Sequence, residues 1–360
     1  MKYLEKCSEK SREIKEEKIN NLHTLSSNTL SSKILKLVLI LSIFLIAVIL
    51  MNNLIHNLSE QKEQLVQEYG PKPYVLFCQT ENCTSAMLDF MDSANEKLYC
   101  AFYDLDLIQL KEKLQQKSKI IDVKLFMDDA NYINYAFSRH DEAGPLMHNK
   151  FCVADGGRII TGSFNPTFNG AYRNDNNLII INSKTLAANY EDEFNELWNY
   201  DENLAVKIPQ LLINGNLAEN YFCPDDNCGG RIAKALYSAN KSIYILAFSF
   251  TSSEIAVPIA AKAEEGVEVK GVFEKRNNGE YSQCVFLNYH GADIRKDGNK
   301  YNMHHKVFII DNQTVVTGSM NPTGNGNSVN DKNILIIHNP EIAGQYALEF
   351  WRVWNAAESK

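Results

Sequence analysis

Residues 147–167 read MHNKFCVADGGRIITGSFNPT, and residues 303–323 read MHHKVFIIDNQTVVTGSMNPT. Both follow His-x-Lys-x4-Asp-x6-Gly-Ser-x-Asn at identical spacing. In an extended strand, residues two apart point to one face. His148 and Lys150 therefore project together, as do His304 and Lys306, while Asn149 and His305 turn away. His305 reads as peripheral to the motif. Asp155-Gly156-Gly157 and Asp311-Asn312 are turn sequences that send the chain back. On the return strand Ser163 shares a face with Asn165, and Ser319 with Asn321. Each stretch thus offers an imidazole, an ammonium, a hydroxyl and an amide to one pocket.

Working outward, the two stretches prove to be parts of one unit written twice. The offset is 145 residues at the Cys-x4-Cys segments, FCQTENC (77–83) and FCPDDNC (222–228), and at Tyr99 against Tyr244. It becomes 146 at Val123 against Val269 and 156 throughout 148–198 against 304–354. A period this long marks two homologous domains rather than a solenoid. The ten extra residues of the second copy fall between Glu274 and His304. Each copy predicts a helix after the cysteines, a strand, a variable helix, a second strand, the strand-turn-strand pair and another strand. It ends in a helix carrying Tyr190, Glu193, Phe194 and Trp198, or Tyr346, Glu349, Phe350 and Trp354. Strands alternating with helices predict an α/β architecture. The aromatic stripe of the last helix reads as core, with no function assigned.

Of the 360 residues 45% are hydrophobic and 22% charged, which excludes a disordered or fibrous chain. The net charge of −8 is uneven: 1–36 hold 8 Lys+Arg and 5 Asp+Glu, leaving 28 against 39 beyond. The body is therefore acidic overall, and nucleic acid would need a local basic groove. An apolar run at 37–51, broken by Ser42, is lengthened by Ile34, Leu35, Leu54 and Ile55 to span a bilayer core of roughly 30 Å. A cleaved signal peptide fits poorly, because the charged leader is long and no A-x-A-like site follows. A core helix would need a polar face. The Lys-rich leader and the acidic flank of Glu60, Glu63 and Glu68 place the N-terminus in the cytoplasm and the body outside. The predicted organisation is a charged cytoplasmic tail (1–33), a transmembrane anchor (34–55), a linker (56–73), the first repeat (74–200), a linker (201–218) and the second repeat (219–355).

Eight cysteines are too few for a disulfide scaffold. On an extracytoplasmic body, Cys78–Cys83 and Cys223–Cys228 are read as disulfides; the competing reading is one four-cysteine zinc site. Cys100 and Cys152, in apolar strands, are expected to be inert core thiols.

The motif groups suit a phosphodiester. Lysines with Ser and Asn donors hold the non-bridging oxygens. A neutral histidine can attack phosphorus, and a protonated one can serve the leaving oxygen. Two copies supply both, and the lysines neutralise charge, so neither metal nor cofactor is expected. His140-Asp141 is a lone loop pair.

These motifs resemble the HKD signature of the phospholipase D superfamily, and the resemblance covers most of 74–355. It implies an α/β/α sandwich in each copy, with the two motifs meeting at a pseudo-twofold interface to form one active site in a monomer. It further implies His148 as nucleophile and His304 as general acid/base, with Lys150, Lys306, Asn165 and Asn321 binding phosphate. Asp155 and Asp311 match the motif aspartates, as supporting groups. Simple nuclease-like members often carry a glutamate in a following N-x-E-N segment; here that position is Asn176 and Lys332. The substrate expected is a phospholipid headgroup diester, the alternatives being single-stranded nucleic acid, transfer to an alcohol, or a non-catalytic binding role. Segments 128–147 and 274–303, which differ between the copies, are expected to line the pocket mouth.

Overall fold

The computed structural model describes residues 41, 44–49, 51, 65–142, 145–201, 204–277 and 279–358. The chain divides into two compact units, 1–64 and 65–360. In the first, Leu41, 44–49 and Met51 are helical. The rest of the predicted anchor, the 1–33 tail and residues 56–64 of the first linker lie outside the described residues. Among the described residues no helix is long and apolar enough to cross a membrane.

The second unit begins with β1 (Val66–Glu68), β2 (Tyr74–Phe77) and α1 (Cys83–Asp92), whose Asn82 side chain accepts from the Ser85 N–H and caps the first turn. There follow β3 (Lys97–Phe102), α2 (Ile108–Lys117), β4 (Asp122–Met127) and β5 (Ser138–His140). The first motif forms β6 (Lys150–Ala154) and β7 (Arg158–Gly162), followed by α3 (Phe168–Tyr172), β8 (Asn177–Asn182) and α4 (Lys184–Asn199). The second copy repeats the plan. Its elements are β9 (Gln210–Ile213), β10 (Asn216–Cys223), α5 (Cys228–Tyr237), β11 (Ser242–Ala247), α6 (Ser253–Glu264), β12 (Glu268–Phe273), α7 (Cys284–Tyr289) and β13 (Asp293–Lys296). The second motif forms β14 (Lys306–Ile310) and β15 (Thr314–Gly318), and α8 (Gly324–Ser328), β16 (Lys332–His338) and α9 (Pro340–Ala356) complete the chain.

Two sheets result. The first runs β2-β8-β7-β6-β3-β4-β5, and the second β1-β9-β10-β16-β15-β14-β11-β12-β13. Seven strands correspond between them in the same order. The motif strands lie at the centre, where KFCVA and KVFII are buried on both faces, as near-continuous apolar strands must be. The segments expected as linkers are partly strand. β1 pairs in parallel with β9, and β9 turns back on β10, so both extend the second sheet. Strands of three and four residues are too short to leave a period in the sequence.

The central core holds apolar side chains of α4 and α9 (among them Tyr190, Phe194, Tyr346 and Phe350) together with those of both sheets. The two helices therefore fill the space between the sheets. α1 and α2 cover the outer face of the first sheet, and α5, α6 and α7 that of the second. Caps set where the central helices begin: Ser183 accepts from the Leu186 N–H, and Asn339 from Glu341 and Ile342, with Pro340 at the first helical position.

Cys78–Cys83 and Cys223–Cys228 are disulfides, so a four-cysteine zinc site is not formed. Cys100 and Cys152 are not free thiols, contrary to the sequence reading. They stand directly opposite on antiparallel β3 and β6, with Cα atoms 4.1 Å apart, and are bonded to each other. The pairing depends on register between strands 52 residues apart, which composition does not reveal. Cys284 is free.

Candidate active site

Each histidine is held across the copy interface. His148 N–H donates to Asp331 O, and His304 N–H to Asp175 O, both at 2.9 Å. Each therefore extends a short bridge reaching from one sheet to the other, Met147 to Asp331 and Met303 to Asp175. Thr161 and Asn333, and Asn177 and Thr317, bond across the same interface at 3.2 and 2.9 Å. These contacts bring the two motifs to one place. Gly162 and Gly318, at φ 142° and 141°, are required there. A Cβ on either would lie 2.3 Å from the carbonyl oxygen of Asn177 or Asn333.

His148 and His304 are both buried. His148 Nδ1 lies 3.2 Å from the Ser319 carbonyl. His304 Nδ1 lies 3.1 Å from the Ser163 carbonyl and 2.8 Å from Asn176 Oδ1. All three partners accept, so each Nδ1 carries the hydrogen and each Nε2 keeps its lone pair. The Asn176 amide is itself oriented, since Oδ1 also accepts from Ser163 Oγ and Nδ2 donates to Gly170 O. Burial, then the lysines, holds both histidines well below the usual imidazole range. Lys150 and Lys306 donate to the carbonyls of His148 and His304 at 2.8 and 2.6 Å. Burial and mutual repulsion push both ammonium groups well down. Lys332, also buried, is pushed down to about 8, mainly by desolvation. Three neighbouring lysines are a site for an anion: a phosphoryl group supplies the counter-charge that burial denies them.

Asn165 and Asn321 each have a buried Oδ1 without a hydrogen-bond partner among the described residues; that oxygen only accepts, so toward a phosphoryl oxygen it is the amide Nδ2–H groups that can donate. Other groups fall elsewhere. The Ser163 hydroxyl is spent on Asn176 Oδ1 and the Asn177 N–H, whereas the Ser319 hydroxyl accepts from the Asn333 N–H and keeps its own hydrogen to donate. Asp155 and Asp311 sit at the far ends of the motif strands, seven residues or ~23 Å from the histidines. Their carboxylates accept from the backbone N–H groups that start β3 and β11, Asn95 to Lys97 and Asn240 to Ser242. They are positioning groups for the fold. His140 pairs with Asp129, away from the motifs.

Several residues were missed. Tyr103 and Phe248 follow β3 and β11 at the 145-residue offset, and pack against His148 and His304, tilted and edge-on, at ring-centre distances of 5.0 and 4.6 Å. They also lie beneath Lys150 and Lys306. The repeat alignment carried that signal. His305 is not peripheral: it is fully buried, 2.9 Å from Glu349 Oε1 and 3.2 Å from Asn177 Oδ1. Asn149 occupies the equivalent position, bonded to Glu193 and Asn333. The glutamates of the last helices thus reach the residue between His and Lys in each motif.

The family description "Cardiolipin synthase, PLD-like domain" matches residues 113–198 and 232–354. The chain belongs to the phospholipase D superfamily. Among relatives, mitochondrial cardiolipin hydrolase of Mus musculus is 31% identical over 127 residues, 34% of this chain and 57% of that protein. A phospholipase D of Rickettsia bellii is 30% identical over 131 residues, 36% of this chain and 65% of that protein. The chain thus spans somewhat over half the length of these relatives. Phosphatidylserine synthase of Haemophilus influenzae superposes with a TM-score of 0.60 over 79% of this chain and 85% of that one, at 13% identity. That likeness is one of fold. In this superfamily chain both motifs are present and face each other.

Proposed function

We propose that the chain is a phosphodiesterase that hydrolyses phospholipid headgroup diesters, held at a membrane by the apolar run of 34–55 with its body extracytoplasmic and active as a monomer. The observation that carries the chemistry is the pair of neutral, buried imidazoles, each with Nδ1–H tied to a carbonyl, among three lysines. His304 takes up a proton once the anionic phosphodiester offsets the charge of the lysines; His148 Nε2 then forms a bond to phosphorus as the bond to the leaving headgroup oxygen breaks, and His304 gives that oxygen its proton. In the second half His304 takes a proton from water, the water oxygen bonds to phosphorus and the N–P bond breaks, regenerating the enzyme. Lys150, Lys306 and the Asn165 and Asn321 amides hold the charge that grows on the non-bridging oxygens. The lysines neutralise that charge, and no metal enters these steps.

The lipid reading is supported by the relatives named above and by the rim of the site. α3 is bracketed by Asn165 and Asn176 and exposes Phe168 and Tyr172. On the 274–303 segment, Tyr281, just before α7, and Val285 and Tyr289, on one face of it, are at least 80% exposed. They wall a cavity of about 1270 Å³ against Thr323–Asn325, two residues beyond Asn321. Exposed apolar clusters of this kind suit an acyl interface. A second reading, cleavage of a single strand, is favoured by Arg173, which lies 4.9 and 5.0 Å from the Phe168 and Tyr301 rings, a platform on which bases stack. The test gives the full chain fluorescent phospholipid vesicles and a labelled single-stranded oligonucleotide in parallel, in EDTA. Headgroup release supports the proposal; oligonucleotide cleavage alone replaces it with the second reading.

A further inference from the structure

The two histidines are related by the repeat but are not equally supported. Asn176 and Lys332 occupy the same position of the two copies, at the 156-residue offset. In one copy that position gives His304 Nδ1 a second acceptor, an amide oxygen at 2.8 Å whose orientation two further hydrogen bonds fix. In the other it places a buried ammonium beside His148, whose Nδ1 has the Ser319 carbonyl at 3.2 Å. An ammonium cannot accept the Nδ1 hydrogen, and it opposes a second positive charge on the ring.

We propose that this asymmetry divides the work: Lys332 holds His148 neutral as the nucleophile, and Asn176 supports His304 as the group that carries the proton. The assignment rests on the covalent mechanism above and concerns positioning residues that act through the histidines. The charged and titratable groups facing His148 are Lys150 at the start of β6, Lys306 on β14, Lys332 on β16 and His304, with the Tyr103 ring also against it. The three lysines oppose its protonation, while the carboxylates of Asp104 and Asp128 act on Lys150 and Tyr103. His304 also faces Lys306, Lys150 and His305; its carbonyl bond to Ser163 has a counterpart at His148, and the contact that sets it apart is the second acceptor, Asn176 Oδ1. Lys332 has a second consequence. Once His148 Nε2 bears phosphorus, the ring is cationic, and the adjacent ammonium weakens the N–P bond that water must break. The nucleophile is thereby also a good leaving group.

The experiment traps the intermediate on the full chain with bis(4-nitrophenyl) phosphate, quenches at alkaline pH, where phosphohistidine survives, and locates the modified histidine by mass spectrometry. The wild type is expected to carry it on His148, and the exchanged variant Asn176→Lys with Lys332→Asn on His304. In Lys332→Met, which keeps the bulk without the charge, the acidic limb of kcat/KM is expected to rise by about one pH unit, while Lys332→Arg leaves it in place. Modification of His304 in the wild type overturns the assignment. So does an unmoved limb in a Lys332→Met protein that melts at the wild-type temperature, since a packing role alone would not set that limb. No modified histidine in any variant removes the covalent mechanism itself, and this assignment with it.

Discussion

Arg352 and Glu196 stand at equivalent positions of α9 and α4, and the consequence can be measured. In the second copy Arg352 donates to both Glu349 oxygens at 2.7 Å and also binds Asp175. Despite burial, Glu349 is held down to about 2 by its bonds to Arg352 and His305. In the first copy the equivalent trio is Glu196, Glu193 and Asp331. Asp331 is pushed up to about 7 by desolvation and then by Asp141, Asp225 and Glu196, with Lys332 opposing. Glu193 is raised well above the carboxylate range by burial, then by Asp331, Glu196 and Asp225. A carboxyl raised on folding stabilises fully below its unfolded pKa, and that contribution is lost as pH climbs through the folded one. For Asp331 the window runs from 3.8 to about 7, and ~1.4 kcal/mol per pH unit bounds the loss at ~4 kcal/mol. Relaxation and screening reduce this to ~2 kcal/mol. Glu196→Arg should restore the missing cation. It also loses the Leu204 N–H bond to Glu196, a cost of ~1 kcal/mol. Thermal melts of both proteins at pH 5 and pH 8 isolate the effect as a double difference. Only the part of the window above pH 5 is sampled, about two thirds of it, so the variant should gain roughly 3–5 °C relative to wild type on going from pH 5 to pH 8. A difference that is the same at both pH values would refute the reasoning.

Three more outcomes follow from the packing. Gly162→Ala drives a Cβ to 2.3 Å from Asn177 O at a positive φ, and should cost at least ~3 kcal/mol by urea unfolding and abolish turnover. Replacing Cys100 and Cys152 together by Ala opens a crosslink spanning 52 residues; the expected loss is ~2–4 kcal/mol, with a melt that dithiothreitol lowers far less than in wild type. Glu349→Gln strips the buried His305 and the half-buried Arg352 of their carboxylate and should destabilise by ~3 kcal/mol in urea. Because Glu349 is lowered on folding, the wild-type advantage should be present at neutral pH and shrink as pH falls from 4.5 toward 2.

What could be read from the chain was what repeats. The motif strands, the last helix and the short cysteine loops recur at fixed offsets, and local spacing suffices to place them. The groups missed depend on contacts between copies. Nothing near His304 in sequence announces that Asn176, 128 residues earlier, is its partner, and Asn176 and Lys332 looked only like a departure from the glutamate pattern. His305 seemed off-register because strand alternation turns it away from the pocket. That same alternation points it into the interface, where Glu349 and Asn177 receive it. Asp155 and Asp311 invited a chemical reading because they are part of the motif; the length of the strand carries them away from it. Cys100 and Cys152 needed the β3–β6 register. The short strands β1 and β9 carry too few residues to show a period.

The central claim is that two copies build one active site. The direct measurement is headgroup release from fluorescent phospholipid vesicles by the full chain, comparing wild type, His148→Ala and His304→Ala after melts confirm that both variants fold. A single composite site predicts that each substitution alone lowers the rate by ~10³-fold or more. Retention of about half the wild-type rate by either variant would mean two independent sites, and would contradict the account.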